Sequence, residues 1–297
     1  THLVVDLMQL LIKSSLKTQE FARVKEEGQG SGKRALVIGG SGRMGGWFVE
    51  FLMLQGFTVD IADPIESESG SQHYSTWEEA NDDYTITVVA APLRQSIDIL
   101  QAMLNAKRRG IIFDIGSIKS PIQSILKDMV NSGMQVTSIH PMFGPDSDLL
   151  TGKQIIFMDI DQHNTHQEVK KLFESTTAQL IDMSIENHDY AIAYVLGLSH
   201  MINIAFAKVL ASTDDNRALL PKLSSTTFKD QLNVAKRVTD ENPHLYFEIQ
   251  HLNEHSLKTI KELNAAINEI THAITQGQEE TFVAMMEEGQ SYFNKNE

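Results

Sequence analysis

RALVIGGSGRMGGWFVEFLMLQG, residues 34–56, decides how the rest of the chain is read. It opens on a short apolar run, 34–40, of the kind that forms a buried strand. From Ser41 the spacing turns helical and runs to Gly56, a residue suited to a helix C-cap. Between the two lies Gly40-Ser41-Gly42-Arg43-Met44-Gly45. A lone GxGxxG is a weak signal, but one that follows a strand and opens a helix has a mechanism. Gly40 is expected to permit the tight turn, Gly42 to let the backbone approach a pyrophosphate, and Gly45 to let the helix sit against the strand. The free N–H groups and partial positive charge of the helix N-terminus would face the phosphates. A second strand, 58–63, ends on Asp63, 23 residues after Gly40. A carboxylate there bonds ribose hydroxyls and repels a 2′-phosphate, which favours NAD over NADP. Arg43 argues the other way, since it can meet a phosphate.

Working outward, strand-like runs at 85–92, 110–116, 134–140 and 153–160 alternate with helical runs at 96–106, 121–133 and 165–179. This alternation implies an α/β, Rossmann-type doubly wound fold with a mainly parallel sheet covered on both faces. Ala91 and Pro92 close a strand at the cofactor edge and are expected on the nicotinamide side. From Asn187 the strand signal stops and helical patterns follow at 187–211, about 216–240, 243–272 and 277–295. Three parts result: an N-terminal helix and linker (1–32), a dinucleotide-binding domain (33–186) and an all-helical substrate and dimerisation domain (187–297).

The net charge of −14 leaves no excess of Lys and Arg to neutralise phosphates, which argues against a general nucleic-acid binder. The absence of cysteine excludes disulfides, thiolate catalysis and zinc–thiolate sites and fits a cytoplasmic protein. The chain opens on Thr1, which reads as a trimmed piece, and shows no signal peptide. The longest apolar stretch, Tyr190–Ala211, is interrupted by Ser199, His200, Asn203 and Lys208. It reads as a helix buried on most faces rather than a bilayer span, and its need for cover points to a homodimer. HNTH (163–166) and HLNEH (251–255) have ligand-like spacing but no third ligand nearby, so both read as surface helix residues and no metal is expected.

SIHPMFGPDS, 138–147, places His140 at the end of a strand on the edge where open α/β sheets bind ligands. An imidazole there suits proton removal near neutral pH, and a packing role is the alternative. DIGSIKSP (114–121) precedes it, and VIGGSGRMG, ENHDYAIAYVLGLSH (186–200) and LSSTTFKDQLNVAKRVTDENPHLYFEI (223–249) complete the set in order. From Lys33 onward the chain resembles the prephenate dehydrogenase family of tyrosine biosynthesis, most closely the form fused to chorismate mutase. The resemblance implies NAD-dependent oxidative decarboxylation of prephenate to 4-hydroxyphenylpyruvate, with His140 as base and Ser117 bonding the reacting hydroxyl and the histidine. It implies that Arg237 grips the side-chain carboxylate, that His200 contacts substrate with His188 in support, and that Asp146 and Lys119 lie at the pocket. Read without it, Ser117 is a turn or cap serine, Lys119 a solvated lysine, Asp146 a turn cap, Arg237 a solvated helix face and His200 a core histidine. Leu196 and Gly197 depart from the polar residues of some relatives. Residues 1–27 look either like the last helix of a mutase domain, with no mutase activity of its own, or like an ordinary N-terminal helix. Arogenate dehydrogenase, another β-hydroxyacid oxidoreductase and a non-catalytic NAD- or tyrosine-responsive regulator are the alternatives.

Overall fold

A computed structural model describes residues 2–67, 70–212, 220–223 and 225–295. Its contacts divide the chain into two units, Thr1–Asp189 and Tyr190–Glu297. In chain order the elements of the first are α1 (His2–Glu26), β1 (Arg34–Ile38), α2 (Arg43–Leu54), β2 (Thr58–Ala62), β3 (His73–Tyr74), β4 (Ile86–Val89), α3 (Leu93–Ala106), β5 (Ile111–Asp114), α4 (Gln123–Asn131), β6 (Gln135–Pro141), β7 (Gln154–Asp159), α5 (His163–Glu174) and β8 (Gln179–Ser184). They are followed by α6 (Ile185–Ile192), a π-helical stretch Ala193–Leu198, α7 (Ser199–Ala211), α8 (Thr226–Thr239), α9 (Pro243–Leu252), α10 (Ser256–Thr275) and α11 (Glu279–Asn294).

The eight strands form one sheet in the order β3-β2-β1-β4-β5-β6-β7-β8, parallel except where β6 meets β7. β1, β4 and β5 are largely apolar on both sides, and they and β6 are buried almost throughout, as strands covered by helices on two faces must be. From β1 the chain adds β2 on one side and β4 on the other, so the carboxyl end of β1 is the point where the winding reverses and a crevice opens. α2 lays Phe48, Val49, Phe51 and Leu52 into the core against β1 and β2. Phe51 stacks on Phe173 of α5 at 4.8 Å, and Trp47 stacks on Phe51 at 5.1 Å. Burying one such ring is worth about 1.5–3 kcal/mol.

α1 is held to this unit mainly by its C-terminal half, where Lys17 pairs with Asp148 at 3.0 Å. Val24 is buried, Arg23 donates to the Ser175 carbonyl, and the Glu20 carboxylate accepts from the backbone of Leu150 and Thr177 and from the Thr177 hydroxyl. Leu7, Leu10 and Leu11 are exposed, and the side chain of Leu3 lies outside the described residues.

Several elements differ from the sequence reading. β3 and β8 were not anticipated: β3 is two residues long, and β8 is a half-exposed edge strand without strong apolar alternation. α4 starts at Gln123, after Pro121. The helix expected over 187–211 starts at Ile185 and loosens into π geometry at Ala193–Leu198, where the Gly197 carbonyl accepts from Gln250 at 2.7 Å. The helix expected over 243–272 is two, because Asn253 breaks it and its side chain takes the backbone N–H of His255. HLNEH therefore straddles a helix boundary. Of the helix expected over about 216–240, α8 covers Thr226–Thr239, and 216–219 and 224 lie outside the described residues. In HNTH, His166 is not a surface residue: it is buried, facing the Met158 carbonyl at 3.2 Å and Asp182 at 2.9 Å.

Candidate active site

The glycine turn joins β1 to α2. Gly39, one residue before the anticipated position, carries the left-handed backbone (φ 80°), and a Cβ there would lie 2.7 Å from the Ala90 carbonyl oxygen. Gly39, not Gly40, is thus the tight-turn glycine, and Gly40 instead leaves room for Ile61. Gly45 fits its expected role: an added Cβ would stand 1.9 Å from the Gly39 carbonyl oxygen, so only a glycine lets the helix close on the turn. Gly42 is the N-cap and has no side chain to cap the first turn of α2. The N–H groups of that turn carry a partial positive charge and suit a pyrophosphate. Met44 packs on the core, and Pro92 caps α3 while the Ala91 carbonyl accepts from Ser96.

Asp63 stands just beyond β2. Its carboxylate accepts from the backbone of Ser41 at 3.2 Å and of Ile65 at 2.9 Å, and the Ser41 hydroxyl donates to the Ile65 carbonyl. The acid is therefore fixed beside the turn. These residues fit the adenosine diphosphate portion of a dinucleotide: an uncapped helix end for the phosphates and an oriented carboxylate for a ribose.

His140 lies at the carboxyl end of β6, three strands from β1 and on the same edge of the sheet. At normal strand spacing that is about 14 Å. The ring is 3% exposed, and its Nδ1 lies 2.9 Å from Nε2 of His188. His188 is fully buried, with Nδ1 2.6 Å from Oδ1 of Asp189. Burial, reinforced by His188 and then Lys119, holds the His140 pKa well below the ordinary imidazole value. Burial likewise lowers His188. Burial pushes Asp189 up, but the bonds from His188 and Ser120 outweigh it and keep its carboxyl below the usual range. The cluster is a neutral imidazole pair leaning on a carboxylate.

Lys119 is neither solvated nor turned to a pocket. It is fully buried, and its ammonium donates to Asp114 at 2.6 Å and to the Ile139 carbonyl at 2.9 Å. Its reach to the site is electrostatic, disfavouring a charged His140. Ser117 sits half-buried in the loop between β5 and α4, and no hydrogen bond joins it to His140 among the described residues. It does not cap α4, whose N-cap is Ile122.

The loop after His140 folds over the start of α2. Asp146 pairs with Arg43 at 2.7 Å, Trp47 donates its indole N–H to the Ser147 carbonyl at 3.0 Å, and Phe143 packs edge-on to Trp47 at 5.0 Å. The loop that follows His140 and the start of α2 are thereby brought together.

In the second unit, His200 is buried in α7 with its ring stacked on Tyr246 at 4.1 Å, and its Nδ1 has no partner among the described residues. Burial lowers its pKa. Arg237 is exposed in the last turn of α8 and forms no ion pair among the described residues. Asp189, Asp114, Ser120 and Gly39 were missed by the sequence reading. The signals were present in the acid directly after His188 and in the doubled glycine.

A family model described as prephenate dehydrogenase, nucleotide-binding domain, matches residues 68–182, and one described as prephenate dehydrogenase, dimerization domain, matches 184–288. The glycine turn precedes both matches and rests on its geometry. The chain is 26% identical over 272 residues to the "Probable arogenate/prephenate dehydrogenase" of Methanocaldococcus jannaschii, covering 86% of this chain and 60% of that protein. It is 26% identical over 262 residues to the T-protein of Enterobacter agglomerans, covering 87% and 67%. The chain thus spans 60–67% of the length of these relatives. The crystal structure of A. aeolicus prephenate dehydrogenase in complex with hydroxyphenyl propionate and NAD+ superposes with a TM-score of 0.71 at 22% identity, covering 89% of this chain and 98% of that one, and shows the fold.

Proposed function

The chain belongs to the prephenate dehydrogenase family, and on that premise we propose that it carries out NAD-dependent oxidative decarboxylation of prephenate to 4-hydroxyphenylpyruvate. The observation that carries the reading is His140, neutral at the carboxyl edge of the sheet, with one ring nitrogen engaged by His188 and the other left for substrate.

The glycine turn and the N-terminus of α2 hold the pyrophosphate, and Asp63 takes the adenosine ribose hydroxyls. Asp63 is fixed beside the glycine turn, and a carboxylate there would repel a 2′-phosphate, which supports NAD over NADP. Bound NAD supplies the hydride acceptor. Nε2 of His140 accepts the proton of the ring hydroxyl as the carbinol C–H leaves with its electron pair, and the carbon becomes a carbonyl. The bond to the ring carboxylate then breaks, carbon dioxide departs, and its bonding pair enters the ring, which becomes aromatic and takes up a proton as a phenol. A base already neutral at working pH needs no deprotonation before each turnover. Within the helical unit, Arg237 is exposed and forms no ion pair among the described residues, and a planar guanidinium can make two bonds to a carboxylate at about 1.5–3 kcal/mol each.

The homodimer belongs to this reading. The helical unit exposes Val195, Ile202, Val209 and Phe247, a surface that a second copy would cover, and its family model is described as a dimerization domain. The deciding experiment follows reduced-nicotinamide absorbance with prephenate and arogenate, each with NAD and NADP. Prephenate with NAD is expected to turn over fastest. No turnover by folded, NAD-binding protein would favour a regulator, and faster turnover of arogenate would move the substrate assignment.

A further inference from the structure

Asp189 is 3% exposed, and its two oxygens gather four donors. Oδ1 faces His188 Nδ1 at 2.6 Å and the backbone N–H of Lys119 at 2.9 Å. Oδ2 faces the same Lys119 N–H at 3.0 Å, the Ser120 N–H at 2.5 Å and the Ser120 hydroxyl. A carboxylate is all acceptor, so His188 must carry its proton on Nδ1. A neutral His188 then has its lone pair on Nε2, and the atom opposite, Nδ1 of His140, must be the donor. That leaves Nε2 of His140 as the only basic nitrogen of the pair. The backbone donors matter too, because they belong to the loop that carries Ser117.

Resting on the base role proposed for His140, we infer that Asp189 is a positioning residue that fixes the proton positions of both histidines and ties the Ser117 loop to them. It touches neither substrate nor cofactor. A carboxylate that merely satisfied two backbone N–H groups would affect stability and leave the imidazole protons where they are.

Asp189→Asn separates the two roles. The backbone N–H groups of Lys119 and Ser120 cannot turn away, so the amide oxygen takes the Oδ2 position, where it keeps both of them and the Ser120 hydroxyl, while the NH2 group faces His188 and gives up the second contact to the Lys119 N–H. His188 must then accept at Nδ1 and carry its proton on Nε2, His140 must accept at Nδ1, and its Nε2 becomes a donor. The base is switched off without being removed. The expected result is a kcat loss of about 10²–10⁴-fold, the range for a general base, with NAD affinity unchanged and the acidic limb of the pH–rate profile gone. Imidazole nitrogen NMR of the NAD complex should show both rings as Nδ1–H in the native protein and as Nε2–H in Asp189→Asn.

Folded Asp189→Asn with native kcat, pH profile and imidazole signals would overturn the inference. If the variant does not fold, the native spectrum alone decides: an Nε2–H His188 would overturn it as firmly. Native protein that turns over neither prephenate nor arogenate would instead overturn the activity reading, and the imidazole signals would still test the relay.

Discussion

Two adjacent glycines of α2 should respond in opposite directions to the same substitution. In Gly45→Ala the new methyl would lie 1.9 Å from the Gly39 carbonyl oxygen, where ordinary contact starts at 3.4 Å, so about 1.5 Å must be found. Both neighbours are backbone. Overpacking that side chains can absorb costs about 1–3 kcal/mol, and a backbone clash belongs at the top of that range. Replacing a helical glycine by alanine returns about 1 kcal/mol. The net loss is about 2 kcal/mol, which for a unit of this size lowers Tm by roughly 4–8 °C. In Gly46→Ala the nearest atom is the Gly40 carbonyl oxygen at 3.7 Å, an ordinary contact. Only the propensity gain of about 0.5–1 kcal/mol remains, so Tm should rise by roughly 1–4 °C. Displacing the first turn of α2 also moves the phosphate-facing N–H groups, and misplacements of about 1 Å cost roughly 10²-fold. Calorimetry and NAD titration of the two variants provide the test. Gly45→Ala melting at or above the native temperature with native NAD affinity would refute the close-approach argument.

Other consequences are as direct. His140→Asn should lower kcat by about 10²–10⁴-fold and leave the NAD dissociation constant unchanged, measured by turnover and by titration. His140 stays neutral in the fold well below pH 6.5, while in the unfolded chain it titrates near that value. Below about pH 6.5 the unfolded chain therefore binds a proton that the fold refuses, and stability should fall as pH falls, by about 1.4 kcal/mol per unit until the folded pKa is reached. Urea melts of native protein and His140→Asn, compared across this range, isolate the contribution. Lys119→Met strands the buried Asp114 carboxylate, one of whose oxygens already lacks a partner among the described residues, and should cost about 3–5 kcal/mol in urea unfolding. Adding Asp114→Asn should recover part of that loss. Asp146→Ala breaks only an exposed pair and should change stability by less than about 1 kcal/mol; a larger change would show that the pair anchors its loop.

The sheet was legible because strands buried on both faces are continuous apolar runs, and the helices between them keep a clear apolar stripe. β8 escaped because an edge strand with half-exposed residues has no such run. Gly45 could be assigned from spacing alone, but the choice between Gly39 and Gly40 depended on a backbone dihedral that both sequences of events allow. The positions of His140 and Asp63 at strand ends were legible because strand ends at a winding reversal are predictable places. The burial of Lys119 was not foreseen because its partner, Asp114, is five residues away across a turn, and nothing in one sequence says which way that turn folds. Asp189 was passed over because its role depends on contact with residues 69 and 70 positions earlier in the chain.

The antiparallel step from β6 to β7 has a bearing on how the proposed site can change. A parallel crossover would have carried the chain to the opposite rim of the sheet. Here residues 142–153 double back at the rim they leave, and the backbone N–H of Met142 is closed onto the Gln154 carbonyl at 2.9 Å. Insertions or exchanges between those anchor points should alter what faces the rim that carries His140 without shifting strand register, so that rim can vary while the scaffold stays put.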